Sequence, residues 1–486
     1  MTTRLSFDLG PKGGRSQRRH DPETTRVLVI ADLSGDARRG QAPGLDAARV
    51  FGITVDNFEQ VLARIQPRVL VADPLGRDAE RSFSFQALED FHPDRLYDAV
   101  VNQLASAQPQ PTAVQPQPTA APSAGREGQS DMLERLLGTR PSGPVAAPAT
   151  TSKISAHAPL DAMLRAIVAP HVIKEPTAPA SGAPSNDALV QAMRSVLHAP
   201  AYQRVEAAWL ALRWLVFENA LGGSLVVHVL DASRADLLAD LRACGGQLER
   251  SQLHRAVVRE AAGGVDATPF SLVIADLGIA GREEDVSLLA GLGAVAAEAG
   301  ACLLAGAEPP LWGCSDLGRQ PERSDWSPVD PEVAARMQLL RASAVAPFIG
   351  LCMPRVLGRV PFGDRSDPVE RFSFSELPEN PPHAAFAWLN GAFAIAHIIL
   401  AGVAERGWDN GPGTQLDLGD LPHVLYTAFG GKAVKPCAEV HLDDTSAERV
   451  LSYGLMPLMS YRNRNAVRLA RLQSIADPPA PLALRD

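Results

Sequence analysis

SLVIADLGIAGREEDVSLLAGLGAVAAEAGACLLAG, residues 271–306, decides the fold class. SLVIAD (271–276) is a short apolar run that ends in a turn, which reads as a buried strand. EEDVSLLAGLGAVAAEAG follows with the length and spacing of a helix, and ACLLAG (301–306) is a second apolar strand. The same alternation continues on both sides. SLVVHVL (224–230) is a strand, and SRADLLADL is a helix capped by Ser233. DPEVAARMQLLRASA is a helix with Pro331 in its first turn, and PFIGLCM (347–353) is the last strand of the series. Strands that alternate with helices and are apolar throughout predict a largely parallel sheet covered on both faces.

Upstream of that series lie two longer helices, NDALVQAMRSVLHA with Asn186 as its cap and AYQRVEAAWLALRWLVFENAL. A shorter amphipathic one, DMLERLL, precedes them. Residues 105–130, ASAQPQPTAVQPQPTAAPSAGREGQS, contain QPQPTA twice, from Gln108 and from Gln115. Such a composition cannot bury enough apolar surface to fold and reads as an extended linker. Thr139–Ser155 and Lys174–Ser185 are similar in kind. Before the linker, RVLVIAD (Arg26–Asp32) is a buried strand, RVLVAD and SFSF are further strands, and TTRLSFDLG suggests a short one. DNFEQVLARI is a helix with Asp56 as N-cap, and Pro93 with Asp94 starts another. The expected architecture is α/β: a small α/β N-terminal module tethered by a Pro-rich linker to a larger, mostly parallel-sheet α/β module. The boundaries read 1–104 for the first module, 105–130 for the linker, 131–158 for a short helix and connector, 159–475 for the second module and 476–486 for a flexible tail. The linker predicts that the two modules are free to dock apart.

The composition limits the chemistry. The 486 residues are 46% hydrophobic and 21% charged, with a net charge of −9 and a pI near 5.7. No basic stripe suggests nucleic acid or an anionic membrane as partner. The five cysteines, Cys244, Cys302, Cys314, Cys352 and Cys437, form no CxxC pair and fit reduced, buried thiols. AAFAWLNGAFAIAHIILAGVA (384–404) is long enough to suggest a membrane span, but Asn390, His397 and the diluting small residues favour a central buried helix. The N-terminus has no apolar signal region. GPKGG at Gly10 and GGKAV at Gly430 are not phosphate loops, GCSDLG is not a nucleophile elbow, and no histidine pair has metal-ligand spacing. Asp32 and Asp276 end strands where open α/β sheets bind ligands. They read as caps or turn residues, with a metal or ribose ligand as the alternative. His228 and His397 read as satisfied core histidines, and Trp209 and Trp214 as core. No catalytic residue, cofactor site or metal site is assigned.

PRVLGRVPFGDRSDPVERFSFSE (Pro354–Glu376) holds four arginines, four carboxylates, three prolines and two glycines. The prolines stop the preceding strand. Arg355, Arg359 and Arg371, with Asp364, Asp367 and Glu370, are expected to lace a long connection to the sheet, while Phe372 and Phe374 bury on one side. An anion site is the alternative.

Several stretches together resemble the two subunits of the type VI secretion contractile sheath, joined in one chain. RVLVIADLSGDAR, TVDNFEQVLARIQPRV and FSFQALEDFHPDRLYDAV are similar to the small subunit (TssB/VipA). LHAPAYQRVEAAWLALRWLVFE, TPFSLVIADLGI, APFIGLCMPRVLGRVPFGDRSDPVERFSFSE, AFAWLNGAFAIAHIILAGVAERGW, KAVKPCAEVHLDD and LSYGLMPLMSYRN are similar to the large one (TssC/VipB). The most specific stretches hold Pro354, Arg355, Arg359, Pro361 and Gly363, then Trp388, Asn390 and Trp408. The resemblance implies a non-enzymatic, cytoplasmic structural subunit in a bacterium. It would assemble helically with itself or other sheath subunits around an inner Hcp tube, on a baseplate, and contract. It also implies a donor strand at Arg4, Leu5, Ser6, Phe7 and Asp8 that completes a neighbour's sheet. It further implies an apolar stripe, Met132, Leu133, Leu136 and Leu137, for a ClpV-type disassembly ATPase. The chain departs from the pattern: the small-subunit module ends soon after Asn102, and large subunits continue past the equivalent of LMSYRNRN. That departure supports a second reading, an adaptor or cap that docks on conventional sheath subunits without polymerising. A ligand-binding α/β enzyme, with its ligand near Asp276, is the third.

Overall fold

A computed structural model describes residues 25–35, 44–45, 50–72, 80–105, 185–219, 225–259, 268–317, 325–378, 381–408, 413–428 and 431–484. Residues 1–104 and 185–486 belong to one compact unit. The expected donor strand (Arg4–Asp8), the linker and the stripe Met132–Leu137 lie outside the described residues.

The first module contributes strands β1 (Thr25–Ala31), β2 (Val50–Ile53), β3 (Arg68–Ala72) and β4 (Glu80–Ser84). Its helices are α1 (Phe58–Ile65) and α2 (Pro93–Ala105). The second module begins with helices α3 (Asn186–Leu197) and α4 (Pro200–Glu218). The expected alternation follows: β5 (Leu225–Asp231), α5 (Arg234–Ala243), β6 (Leu272–Ile279), α6 (Glu283–Ala299), β7 (Cys302–Ala307), α7 (Pro331–Arg341) and β8 (Ile349–Met353). Then come β9 (Val356–Leu357), β10 (Trp388–Leu389), α8 (Gly391–Arg406), β11 (Asp417–Leu418), β12 (Leu425–Ala428) and β13 (Gly431–Val434). The last elements are α9 (Asp444–Ser452), β14 (Leu455–Ser460) and β15 (Val467–Leu469).

Nine strands form one sheet in the order β11-β15-β14-β8-β7-β6-β1-β5-β2. The six from β14 to β5 are parallel, β2 and β15 run antiparallel to them, and β11 pairs antiparallel with β15 at that edge. Strand β1 of the first module therefore lies between β5 and β6 of the second, with Val29 opposite Val229 on one side and Ile274 on the other. This corrects the expectation that the modules are free to dock apart. A strand apolar on both faces has both edges to satisfy, and the strands that satisfy them come from more than 190 residues further along the chain.

The pleat of β1 divides the core in two. Val27 and Val29 face a cluster with α1, α2, α3, α4 and α8, including Phe58, Val100, Trp209 and Phe393. Leu28 and Ile30 face a cluster with α5, α6 and α7, including Leu241, Leu288 and Leu340. Helix α8 is the central helix expected from 384–404, with every side chain from Ala392 to Leu400 buried, His397 included. Among the described residues no helix is long and apolar enough to cross a membrane.

Details differ from the reading above. Helix α1 is capped at Asn57 rather than Asp56. Helix α3 is capped by Ser185, whose hydroxyl accepts from the Ala188 N–H, rather than by Asn186. Residues 476–484, expected as part of a flexible tail, pack onto the domain. Ala476 and Leu482 are buried, and the Asp477 and Ala483 N–H groups donate to Arg341 and Pro347 carbonyls. Apolar residues spaced among prolines can dock by main-chain bonds without any regular periodicity.

Candidate functional site

The candidate site is the connection that leaves β8, Pro354–Glu376, and the surfaces it ties together. Pro354 ends the strand, and its carbonyl lies where a Cβ on Gly391 would come within 2.6 Å, so the connection leaves close against the start of α8. Val356 and Leu357 pair with Leu389 and Trp388. Arg355 donates from Nε to Glu439 Oε2 at 2.9 Å and its second nitrogen also reaches that carboxylate, while His383 Nε2 lies 2.7 Å from Oε1. Burial would raise the Glu439 carboxyl. The hydrogen bonds and charge of Arg355, joined by His383, overcome that and hold it down to about 2. The Trp388 indole N–H donates to the His383 carbonyl, which ties this corner together.

Arg359 lies at the centre. It donates to Glu206 Oε1 at 2.7 Å and, from both terminal nitrogens, to Glu376 at 2.7 and 3.0 Å. Its guanidinium lies 4.0 Å from the centre of the Phe362 ring. The Phe362 N–H also donates to Glu376, so one carboxylate takes both the guanidinium and the loop backbone. Both glutamates are 2% exposed. Burial raises the Glu206 carboxyl against the pull of Arg359. Burial opposes the charge on Arg359, yet the two carboxylates hold the guanidinium above its ordinary range. Gly363 bridges Ser375, which closes the loop on itself.

Further along, the connection grips the first module. Asp94 of α2 accepts from the Glu370 and Arg371 N–H groups at 2.9–3.1 Å. Arg371 forks onto both oxygens of Asp98 at 2.7 and 2.8 Å and covers the Tyr97 ring at 4.1 Å. Tyr97 also meets Phe372, which meets Phe374. Asp94, Tyr97 and Asp98 lie three and four residues apart and share a face of α2.

The expected residues thus fall into three places. Pro354, Arg355, Arg359, Pro361, Gly363, Phe372 and Phe374 belong to the connection, and Trp388 packs beside its start. Asn390 sits at the strand ends, where its side chain accepts from the Ala392 N–H as cap of α8 and donates to Asp276 Oδ1 at 3.2 Å. Burial raises Asp276 to about 6, against the Asn390 hydrogen bond and with help from the charge of Asp32. Trp408 donates to Thr25 Oγ1 at the start of β1. The carboxylates that lace the connection with the arginines differ from the three expected. Asp364, Asp367 and Glu370 do not pair with them; Glu439, Glu206, Glu376 and Asp98 do. Glu206 was the legible signal, a charge on the buried stripe of α4 between Tyr202, Val205 and Trp209. The histidines are only half satisfied. His397 Nδ1 meets Asn219 at 3.1 Å and His228 Nε2 meets Arg26 at 3.3 Å, while the other ring nitrogen of each has no partner among the described residues. All five cysteines are buried, and burial pushes Cys302 up to about 12, which suits inert core thiols. Among the described residues no cluster could hold a metal ion.

Residues 185–476, more than half of the chain, match the family described as EvpB/VC_A0108, tail sheath N-terminal domain (VipB). The chain belongs to the VipB tail sheath family. Residues 15–109 match a second family, described as Type VI secretion system, VipA, VC_A0107 or Hcp2. Both sheath families are therefore present in one chain, in the order small then large. The chain is also 28% identical over 290 residues to the type VI secretion system sheath protein TssC1 of Pseudomonas aeruginosa. The match covers 58% of this chain, and the chain spans 58% of the length of that relative. The connection from β8 lies wholly within the VipB match, and the face of α2 that it grips lies within the VipA match.

Proposed function

We propose that this chain is a structural subunit of a type VI secretion contractile sheath, with the small- and large-subunit parts fixed at one-to-one by covalent fusion. The observation that carries this reading is β1: the strand from the VipA match completes the sheet of the VipB match. The fused chain is then one building block rather than two tethered ones. Copies pack head to tail in a helix around an Hcp tube, on a baseplate in the bacterial cytoplasm, and contraction draws on strain stored at assembly. The connection from β8 works as scaffold: Arg359 and Arg371 bind carboxylates from helices of both parts, so load on one part passes to the other. No catalytic step, cofactor or metal is required. Residues Arg4–Asp8 would supply the strand to a neighbour. Met132, Leu133, Leu136 and Leu137 would offer the handle to a ClpV-type ATPase. Negative-stain electron microscopy of the purified full-length protein tests the reading. Hollow, helically striated tubes are expected. Discrete particles that bind conventional sheath subunits would replace it with the adaptor reading.

A further inference from the structure

One guanidinium stands between two buried carboxylates in the Arg359 hub, and the two tie it to different parts of the fold. Arg359 and Glu376 both belong to the connection from β8, so their ion pair closes it on itself. Glu206 belongs to α4, so its ion pair with Arg359 joins the connection to that helix. We infer that Glu206 is a proton-operated latch: in weakly acidic medium its carboxyl takes up a proton, and the ion pair from the connection to α4 is lost while the connection stays closed on itself.

Charge and donor count both place the proton on Glu206. With both carboxyls ionised, two negative charges would meet one positive charge in a site where each glutamate is 2% exposed. The unpaired buried charge is costly, and a proton from solvent removes it. Glu376 accepts from both terminal nitrogens of Arg359 and from the Phe362 N–H at 2.8 Å, a main-chain donor fixed by the loop. Among the described residues Glu206 accepts from Arg359 alone, at 2.7 Å from Nε and 3.4 Å from Nη2. Fewer donors stabilise its charge less, so it is the carboxylate that yields. Burial raises it in the same sense, against the pull of Arg359 and with the charge of Glu376.

The other groups that face the hub leave this charge unbalanced. His198, between α3 and α4, has Nε2 3.8 Å from Glu376. Burial lowers its imidazole, against the pull of Glu376 and with the charges of Arg359 and Arg194. Arg194 of α3 donates to the Ser375 carbonyl. Tyr202, one turn before Glu206, donates to the Phe91 carbonyl, and burial raises its hydroxyl. Across the groove beside Glu206, Arg95 pairs with Glu89 and Arg371 with Asp98, while Glu59, Asp367 and Glu370 add only negative charge. His92 lies between Asp94 and Asp367. Arg213 lies over the Phe217 ring, about 10 Å further along α4.

Infrared pH-difference spectra of the full-length protein test this. Between pH 7.5 and pH 5.5 the parent is expected to gain a buried carboxylic-acid C=O stretch, and E206Q should lose part of it. Asp276, also held up by burial, to about 6, contributes separately to the remainder. E376Q should lose the same part as E206Q although Glu206 is intact, because one carboxylate then faces one guanidinium. In ¹⁵N-arginine-labelled protein the Nε–H resonance absent from R359K should move over the same pH range in the parent and stay fixed in E206Q. Folded Glu206 holds its proton to higher pH than unfolded Glu206, so the parent binds more protons when folded in this window and gains stability as pH falls through the folded value. Its urea midpoint should therefore rise relative to that of E206Q. An acid band as strong in E206Q as in the parent, a band that E376Q keeps in full, an Arg359 resonance that does not move, or a midpoint gap that does not change would each overturn the inference.

Discussion

Replacing Arg359 by methionine removes the only cation hydrogen-bonded to both Glu206 and Glu376 among the described residues. Methionine keeps part of the volume but leaves two carboxylates, each 2% exposed, facing one another without a counter-charge. Breaking a buried pair from one side costs about 3–5 kcal/mol. The Phe362 N–H still donates to Glu376, which places the loss at the lower end, about 3 kcal/mol. The pH dependence carries the same logic. In R359M burial raises the Glu206 carboxyl without the opposing pull of Arg359, so the penalty is full at neutral pH and shrinks as pH falls through the raised folded value. The gap in urea midpoint between parent and R359M should therefore be large at pH 7.5 and clearly smaller at pH 5.5. The triple variant E206Q/R359M/E376Q should recover most of the loss, because it removes the stranded charges. A loss below about 1 kcal/mol at pH 7.5, or a gap that does not change with pH, would refute the account of a buried, charge-compensated hub.

The exposed end of the same connection should behave otherwise. Arg371→Ala removes a solvent-facing fork to Asp98, so it should lower the melting temperature much less than R359M, and high salt should erase the difference. His397, buried and held by burial down to about 3, binds a proton more readily when the chain is unfolded. Its stabilising effect is complete above the unfolded pKa near 6.5 and is lost as pH falls below it, at a cost of about 2 kcal/mol by pH 5. His397→Phe should flatten the acid limb of the stability curve measured by urea unfolding between pH 7 and 5. Limited proteolysis within residues 105–184 should leave the two pieces bound through β1, co-eluting on size exclusion and separating only in denaturant. Pieces that separate under native conditions would contradict the placement of β1.

Some of this was written in local chemistry. Residues 271–306 carry a strand, a helix and a strand in an apolar pattern that only a covered parallel sheet satisfies, and the structure has them so. Ser233 before an apolar run and Pro331 in a first turn mark helix starts because capping depends on neighbours in the chain. Membership of the sheath family was legible as well, since PRVLGRVPFG and the stretches around it lie inside the matched region. Tertiary structure decided the rest. RVLVIAD reads as a buried strand, but which strands flank it depends on segments about 200 residues away that no local pattern names. Arg355, Arg359 and Arg371 read as a lacing together with Asp364, Asp367 and Glu370. The carboxylates the arginines bind come from α2, α4, the segment after β13 and the far end of the connection itself, because a guanidinium pairs with whichever carboxylate the packing brings within 3 Å. Sequence sets which residues must be buried, capped or charge-paired, and only the folded chain settles with what.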